Sequence, residues 1–198
     1  MNIAAQPPVQ ADQTIYLKDY QKPSFLVESI NLDIQVYDDH TIVDSTLVMK
    51  RQATGALVLL GRDLELKSIR LNGELLTADQ YELDTEQLTI TDAPDEVIIQ
   101  TQVIIHPESN TQLEGLYKAG DLFVTQNEPE GFRKITFYPD RPDVLSVFTT
   151  RVEADKKYPV LLANGNLLET GEAGEDRHFA IWQDPTKKPS YLRSEERR

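Results

Sequence analysis

The sequence predicts an all-β protein built mostly from antiparallel strands, arranged as layered sheets or a β-sandwich. Many segments alternate apolar and polar residues with a period of two, which is typical of half-buried strands. Turn-forming residues recur at intervals of about 8–12 residues, as in β-sandwich proteins. Helical periodicity is weak, and we expect at most one short helical turn, at residues 141–145, where Pro142 suits a first helical position.

The first predicted elements are two long strands at residues 25–36 and 41–51. Their apolar residues alternate with polar ones, and the short polar link Asp38-Asp39-His40 joins them. This arrangement predicts a β-hairpin. The residues expected on its buried face are Ile30, Leu32, Ile34, Val36, Val43, Leu47 and Met49.

The middle of the chain predicts further short strands. They cover residues 56–60, 64–71, 81–83, 87–90 and 97–105, the first of them fully apolar and therefore expected to be buried. The apolar positions shift phase between Leu66 and Ile69, which indicates a bulge. Asn72 and Gly73 form a strong two-residue hairpin signal because both tolerate positive φ.

The last third predicts strands at residues 122–126, 145–153, 160–162, 167–170 and 178–183, with a hairpin turn at Asn164-Gly165. Residues 108–120 show little periodicity and are expected to form a loop. Residues 125–158 crowd prolines, glycine and charges between β elements, and such a segment is where a binding surface usually lies. We expect a flexible leader at residues 1–14, one β domain at 15–192 and an unstructured, charged tail at 193–198.

Composition excludes several classes of protein. The 33 acidic and 20 basic residues give a net charge of -13, which argues against nucleic-acid binding. This charge suits cationic ligands such as free amino termini, although solubility alone is the plainer explanation. The absence of cysteine excludes disulfides, thiolate metal sites and a cysteine nucleophile. No apolar run is long enough to span a membrane and residues 1–11 lack signal-peptide features, so we expect a cytoplasmic protein.

The sequence predicts no catalytic residue and no metal ligand in this chain. His40, His106 and His178 are far apart, none precedes a glutamate, and the zinc signature H-E-x-x-H is absent. We expect His40 in a turn, His106 at a strand end and His178 on a sheet surface. The nucleophile elbow G-x-S-x-G is also absent. The many carboxylates show no spacing that singles out a catalytic pair.

One arrangement within residues 125–158 does suggest binding chemistry. Gln126 and Glu128 are two residues apart, so in an extended segment both face the same side. Pro129 disfavours helical geometry at Glu128. A carboxylate in a concave site suits an ammonium ligand, and such a charge-assisted hydrogen bond contributes about 1.5–3 kcal/mol. Spacing alone nevertheless favours the alternative of an acidic surface loop with an incidental glutamate.

Several motifs together indicate a family. They are Leu-Glu-Gly-Leu-Tyr at 113–117, Thr-Gln-Asn-Glu-Pro-Glu-Gly-Phe-Arg at 125–133, Asp-Arg-Pro-Asp-Val-Leu at 140–145, Tyr-Pro-Val-Leu-Leu-Ala-Asn-Gly-Asn at 158–166 and Trp-Gln-Asp-Pro at 182–185. In order and spacing, residues 16–192 resemble the amino-terminal domain of bacterial aminopeptidase N. These gluzincin-type zinc enzymes remove single residues from peptide amino termini. The resemblance implies a saddle-shaped, mostly antiparallel β domain that packs on a thermolysin-like catalytic domain and forms one wall of its active site.

The resemblance also implies roles for individual residues. In the family's Gln-x-Glu motif the glutamate, here Glu128, binds the substrate α-amine, and the glutamine, here Gln126, lines the pocket for the first side chain. The family's zinc motif and G-A-M-E-N segment would follow this domain and are absent, so the chain resembles a domain truncated before the catalytic one. Zinc is therefore expected in the full-length parent and not in this chain, which alone is expected to be inactive.

The partners implied are peptide amino termini and the missing catalytic domain. The surface meant for that domain is expected to be apolar and exposed, which favours self-association. A free-standing β-sandwich binding or interaction module is the main alternative, and a chain that is itself hydrolytic is the third.

Two other groups of residues have a structural and a functional interpretation. Arg133, Asp140, Arg141 and Asp143 could form a catalytic cluster, but ion pairs that stiffen a proline-rich loop are preferred. Core or interdomain packing is preferred to carbohydrate stacking for five aromatic residues, namely Tyr117, Phe132, Phe137, Tyr138 and Trp182.

Overall fold

The computed structural model describes residues 17–190, and the predicted leader at 1–14 and tail at 193–198 lie outside this range. The regular elements of the described residues are β-strands and two 3-10 helices, Leu17–Asp19 and Phe132–Lys134. The all-β prediction is therefore confirmed. Neither helical segment in this range is long and apolar enough to cross a membrane.

The strands of the described residues are numbered here in chain order. They are β1 (Phe25–Val36), β2 (Thr41–Arg51), β3 (Leu57–Leu60), β4 (Glu65–Leu71), β5 (Glu74–Leu75), β6 (Glu82–Leu83), β7 (Gln87–Ile90), β8 (Glu96–Ile105), β9 (Gly115–Ala119), β10 (Leu122–Gln126), β11 (Ser146–Asp155), β12 (Asn166–Glu172) and β13 (Arg177–Lys188).

Eight of these strands form one large sheet, in the order β12-β13-β11-β1-β2-β8-β4-β5. Its only parallel pair among the described residues is β1 with β11, and the other pairs are antiparallel. A three-stranded sheet has the order β3-β7-β6, and β9 and β10 form a separate two-stranded ribbon. The chain thus leaves the large sheet after β8, builds the ribbon and the irregular segment that follows it, and returns at β11.

The hydrophobic core lies against one face of the large sheet. Ile30, Leu47 and Ile99 come from that sheet, Leu59 and Leu88 come from the three-stranded sheet, and all five belong to one buried cluster. Alternation along each strand directs these side chains to one face. Burial of each large aliphatic side chain contributes about 1.5–3 kcal/mol, so this shared core holds the two sheets together.

Several detailed predictions are confirmed. The β1–β2 hairpin and its buried face are as expected, and β10 has the predicted bounds. The pairing of β4 with β8 shifts register between Leu66 and Ser68, where the bulge was expected. Asn72 has φ 52° and Gly73 has φ 89°, as a two-residue hairpin turn requires.

Residues 141–145 form a single turn, closed by the Val144 amide donating to the Arg141 carbonyl at 3.1 Å, which agrees with the expectation of at most one short helical turn there. Other features were not predicted or were predicted wrongly. The 3-10 helix Phe132–Lys134 was not predicted, because it is too short to show periodicity. The expected loop at 108–120 contains β9, whose alternation is weak and whose pairing with β10 stabilises it.

The segment before β12 also differs from the prediction. Residues 160–162 form no strand, since Leu161 and Ala163 pack against the core and the Trp182 indole donates to the Leu161 carbonyl at 3.1 Å. Asn164-Gly165 therefore joins no two strands. The hairpin turn is at residues 173–176, between β12 and β13, where Gly174 has φ 91°.

The predicted strand at 56–60 is present as β3 but is buried on one side only. Leu57 and Leu59 are fully buried, whereas Val58 is exposed. An uninterrupted apolar run led to the expectation of complete burial. Periodicity cannot distinguish such a run from a strand that leaves one apolar side chain outside the core.

Candidate functional site

Gln126 and Glu128 lie on one exposed side of the protein. Gln126 is the last residue of β10, and residues 128–131 form the turn that follows. Asn127 between them is buried, with 5% of its surface exposed, while Gln126 and Glu128 are exposed. Asn127 is therefore turned inward, while its neighbours Gln126, at the end of the strand, and Glu128, in the turn, are both open to solvent.

Backbone and side-chain hydrogen bonds hold this turn. The Gln126 side-chain amide donates to the Glu128 carbonyl oxygen at 3.0 Å. The Gly131 amide donates to the Asn127 carbonyl at 2.8 Å, and the Glu128–Pro129 peptide bond is cis. The turn therefore presents the Glu128 side chain from a backbone that is tied at both ends.

The two glutamates of the turn differ in their contacts. The Glu130 carboxylate forms an ion pair with the Arg133 guanidinium at 3.1 Å. Within residues 17–190, the Glu128 carboxylate makes no side-chain hydrogen bond and no ion pair. Of the two, Glu128 is therefore the one whose charge is available to a cationic ligand.

Two cations from the 3-10 helix Phe132–Lys134 lie behind the turn. Arg133 Nε contacts the buried Asp140 carboxylate at 3.1 Å. The Lys134 ammonium is almost fully buried, contacts Asp63 Oδ2 at 3.1 Å, and donates a hydrogen bond to the Gln112 side chain. Glu114 Oε2 lies 3.7 Å from the same ammonium. The 3-10 helix is thereby fixed to Asp63, to residues 112–114 and to Asp140.

The second half of the predicted charged cluster forms its own pair. Arg141 binds Asp143 through two hydrogen bonds, of 2.7 and 2.8 Å, which hold the pKa of Asp143 below its ordinary value against the opposing effect of burial. Tyr20 also donates to Asp143 at 2.8 Å. With the Arg133–Asp140 contact, these pairs confirm the structural interpretation, in which the charges stiffen the loop.

The β9–β10 ribbon positions Gln126 from the other side. Gly115 is the strand partner of Gln126, with φ 71°. A Cβ on Gly115 would lie 2.7 Å from the Lys134 Cβ, so the ribbon and the 3-10 helix approach each other as closely as glycine allows. Farther along the ribbon, the Phe123 ring packs edge-on against Tyr158 at 5.4 Å between centroids.

The aromatic residues of the segment belong to the core. Phe132, Phe137 and Tyr138 are buried, and the rings of Phe132 and Tyr138 meet edge-to-face at 5.0 Å. These three rings have no surface for a sugar, so packing is the correct interpretation for them. Tyr117 and Trp182 are partly buried.

Comparison with known proteins identifies the family. Residues 20–192 match the peptidase M1 N-terminal domain. The chain belongs to this family. This M1 N-terminal domain is 47% identical over 184 residues to aminopeptidase N of Caulobacter vibrioides and 42% identical over 186 residues to aminopeptidase N of Escherichia coli. These matches cover 91% and 92% of the chain but 21% of each relative, so the chain spans about a fifth of their length.

Solved structures show the same relationship. The M1 N-terminal domain matches Legionella pneumophila aminopeptidase A, solved in complex with aspartic acid, with a TM-score of 0.83 and 32% identity over 88% of this chain and 21% of that one. An M1 zinc metallopeptidase from Deinococcus radiodurans matches with a TM-score of 0.72 over 84% of this chain and 40% of that one. Its 18% identity supports likeness of fold alone.

The zinc of such relatives does not fit the described part of this M1 domain. Residues 17–190 contain no group of three or more His, Cys, Asp or Glu residues that could hold a metal ion. The histidines have other contacts: His40 with Asp39 at 2.7 Å, His106 with the Asp39 carbonyl at 3.1 Å, and His178 with the Tyr158 carbonyl at 2.8 Å. The described residues therefore include no metal centre.

Sequence reasoning named Gln126 and Glu128 as candidates but did not identify the residues that contact the segment around them. Lys134, Asp63 and Gln112 come from three separate segments, and no spacing in the chain connects them. The only signal for Gly131 was its place three residues after Glu128 of the Gln-x-Glu motif.

Proposed function

We propose that this M1 N-terminal domain binds the free α-amine of a peptide substrate at Glu128, for an aminopeptidase whose zinc is held by another part of the polypeptide. One observation carries the proposal: an exposed carboxylate without a protein partner among the described residues stands on a hydrogen-bonded turn beside Gln126. Membership of the M1 family supports it.

An ammonium group suits this site for electrostatic reasons. A charge-assisted hydrogen bond to a carboxylate contributes about 1.5–3 kcal/mol. The surrounding charge is also negative, because three acidic residues outnumber Arg133 and Lys134 within residues 126–140, and the whole chain carries -13. A peptide amino terminus would therefore be attracted before it is bound.

Gln126 is suited to a second contact. Its amide nitrogen is used by the Glu128 carbonyl, which fixes the side chain. Its Oε1 accepts no hydrogen bond from residues 17–190 and remains available to a donor on the substrate. We therefore propose that Gln126 lines the pocket for the first side chain of the peptide.

The domain's contribution is binding and orientation. With the amine held at Glu128, the bond after the first residue would be placed at a fixed distance from the site, which limits cleavage to single residues. The amino acid in the Legionella relative, aspartic acid, also carries an α-amine, which is consistent with this assignment. A cytoplasmic location remains a prediction from the sequence.

The partner proposed for the domain is the rest of an aminopeptidase polypeptide. Exposed aliphatic side chains that could meet it include Val160, Leu167 and Leu168. The first lies in the irregular segment before β12, and the other two are on β12 at the edge of the large sheet. Burial of these side chains by another domain would be favourable.

The test compares Glu128→Gln with Glu130→Gln in the aminopeptidase that the proposal requires, with this domain in place. Both changes remove one carboxylate from the same turn, but only Glu128 is proposed to touch the substrate. With aminoacyl p-nitroanilides, E128Q should lower kcat/KM about tenfold to a hundredfold, the equivalent of one charge-assisted hydrogen bond. The glutamine of E130Q keeps an oxygen that can accept from Arg133, so the turn should stay in place and E130Q should change kcat/KM by less than about threefold.

Equal effects of the two variants, or no effect of E128Q, would contradict the proposal. The alternative of a free-standing binding module makes a different prediction for the 198-residue chain. It requires tight binding of a glycan or protein that E128Q leaves unchanged.

A further inference from the structure

We propose that Asp140 is a positioning residue for the turn at residues 128–131, called here the amine-binding turn. Asp140 acts through Arg133 and couples this turn to the polypeptide that continues beyond Ser190. The inference rests on the proposed function of Glu128. It is carried by a continuous series of contacts from the turn to Ser190.

Asp140 is the centre of the series. Its side chain is 2% exposed. Oδ2 accepts hydrogen bonds from the Arg133 backbone amide and from Arg133 Nε, both at 3.1 Å, and Arg133 Nη2 donates to the Asp140 carbonyl at 3.0 Å. A buried carboxylate with this many bonds to one residue fixes the position of that residue.

Arg133 extends the series to the turn. Its Nη2 lies 3.1 Å from Glu130 Oε2, and Glu130 is two residues from Glu128. The planar guanidinium presents several donors in a rigid fork, so it can hold Asp140 and Glu130 in a fixed relative geometry. The orientation of the turn therefore depends on where Asp140 holds the guanidinium.

Ser190 extends the series in the other direction. Its hydroxyl donates to Asp140 Oδ1 at 2.5 Å, and the residue is buried. The sequence continues from Ser190 to Arg198. A displacement of the chain at Ser190 would therefore act on the carboxylate that holds Arg133.

The charge of Asp140 is essential to this role. Asn would keep the shape, and its single oxygen could still face Arg133 with the amide nitrogen toward Ser190, but the negative charge that balances the guanidinium would be lost. The mostly buried guanidinium would then have Glu130 as its remaining carboxylate, and a buried charge that has lost its main partner moves toward solvent. Arg133 would draw Glu130 with it and displace the turn that carries Glu128.

Asp143 provides a matched control. It belongs to the same Asp-Arg-Pro-Asp motif and also binds an arginine through two hydrogen bonds. Its partners are Arg141 and Tyr20, and neither belongs to the amine-binding turn. Loss of its charge should affect local stability without moving Glu128.

The experiment measures steady-state kinetics for D140N, D143N, S190A and E128Q in the aminopeptidase with this domain in place. D140N should raise KM for aminoacyl p-nitroanilides about tenfold while kcat stays within about threefold, because misplacement of the anchor weakens substrate binding. S190A, which removes one hydrogen bond, should raise KM about two- to fivefold. D143N should leave KM unchanged, and thermal unfolding of each variant reports whether it is folded.

Amide spectra of the 198-residue chain give an independent readout. D140N should shift the backbone amide resonances of Glu128 and Gly131 and the Gln126 side-chain amide, whereas D143N should leave them in place. If D140N does not fold, the steady-state kinetics and the amide spectra of S190A test the proposal instead.

The results separate the two proposals. An effect of E128Q on KM with none from D140N or S190A would overturn the positioning role and leave the proposed function intact. An equal rise in KM for D143N would also overturn it, because the effect would then be a general loosening of the loop. Absence of any effect from E128Q would instead contradict the proposed function itself.

Discussion

Gly131 lies so close to Gln126 that a Cβ atom on the glycine would be 2.4 Å from the Gln126 carbonyl oxygen. The same Cβ would be 2.9 Å from the Asn127 Cα and 3.1 Å from the Gly115 backbone nitrogen. Gly131 has φ -85°, a conformation open to any residue, so space and not backbone freedom requires glycine here. The two strands of the ribbon and the turn at residues 128–131 thus meet at a point with no room for a side chain.

Gly131→Ala should therefore disturb the site as well as the fold. All three neighbours are backbone atoms that cannot rotate away, so the turn itself must shift. We expect a loss of about 1–3 kcal/mol in the free energy of unfolding, as for other overpacked positions. In the aminopeptidase carrying this domain, we expect KM to rise about three- to tenfold.

Gly174→Ala is the control for this prediction. Gly174 lies in the β12–β13 turn with φ 91° and has no atom within 4 Å of a hypothetical Cβ, so alanine there introduces backbone strain without a clash. It should lower stability by about 1 kcal/mol and leave KM unchanged. If G131A behaves like G174A in both measurements, the close contact does not position Gln126.

The extent to which sequence predicted the fold follows from the range of the interactions. β1 and β2 were predictable because their alternation is long and their partner is the next strand. β9 was not, since its residues acquire strand geometry by pairing with β10, and Lys118 and Gly115 interrupt any apolar alternation. The apolar residues 160–162 misled for the opposite reason: Leu161 packs against the core from an irregular segment, while Val160 is exposed.

In the candidate site, too, short-range relationships were predictable from the sequence and long-range contacts were not. The same-side placement of Gln126 and Glu128 depends on two-residue spacing, which is visible in the sequence. The buried partners of Lys134, by contrast, are separated from it by 71 residues at Asp63 and by 22 at Gln112. The distinction between Glu128 and Glu130 also required the structure, because only the position of Arg133 decides which carboxylate is engaged.

Tyr138→Phe should destabilise the core below this segment. Tyr138 is fully buried, and its hydroxyl lies 2.8 Å from the Ser146 hydroxyl. Phenylalanine would leave the buried Ser146 hydroxyl without this partner, at a cost of about 1–2 kcal/mol in the free energy of unfolding measured with denaturant. The double variant Y138F/S146A should recover part of that loss, and a purely additive double variant would contradict the importance of this bond.

The same tyrosine should contribute to alkaline unfolding. Burial raises the pKa of Tyr138 well above its ordinary value of 10.0, and the hydrogen bond with Ser146 only partly opposes this. Because the folded-state pKa is raised, the stabilisation is present in full below pH 10.0 and is lost progressively as the pH rises above it. The free energy of unfolding of Y138F should therefore fall less steeply above pH 10 than that of the wild type.

The exposed edge of the large sheet should promote self-association of the isolated domain. β12 is an edge strand, and Leu167 and Leu168 are 50% and 58% exposed. Unpaired backbone groups next to apolar side chains favour strand pairing between molecules. Light scattering should show an apparent mass that rises with concentration, and the double change L167T/L168T should reduce this rise while keeping strand propensity.

Leu75→Thr is the comparison for that measurement. Leu75 is also exposed, but it lies on the two-residue strand β5 at the opposite edge, which is too short to pair extensively. We expect no change in the association of L75T. A wild-type domain that remains monomeric at high concentration would contradict the prediction directly.

Glu153 should make stability depend on pH in the acid range. Its side chain is 12% exposed and contacts Arg177 Nε and Arg151 Nη2, both at 2.6 Å. Burial by itself would raise the pKa of Glu153, but the hydrogen bonds from the two guanidinium groups outweigh it and hold the pKa below the ordinary 4.5. Because the folded-state pKa is depressed, this stabilisation is present above about pH 4.5 and is lost as the pH falls through the folded-state value.

Glu153→Gln tests this sign. At pH 7 the variant should be less stable by about 2–4 kcal/mol, since two mostly buried guanidinium groups lose their shared carboxylate. Below pH 4.5 the difference from the wild type should shrink, because the wild-type carboxyl is itself becoming neutral. Glu96→Gln, in the exposed pair with Lys50, should follow the wild-type pH profile, and a constant offset of E153Q at every pH would show that packing and not charge stabilises this position.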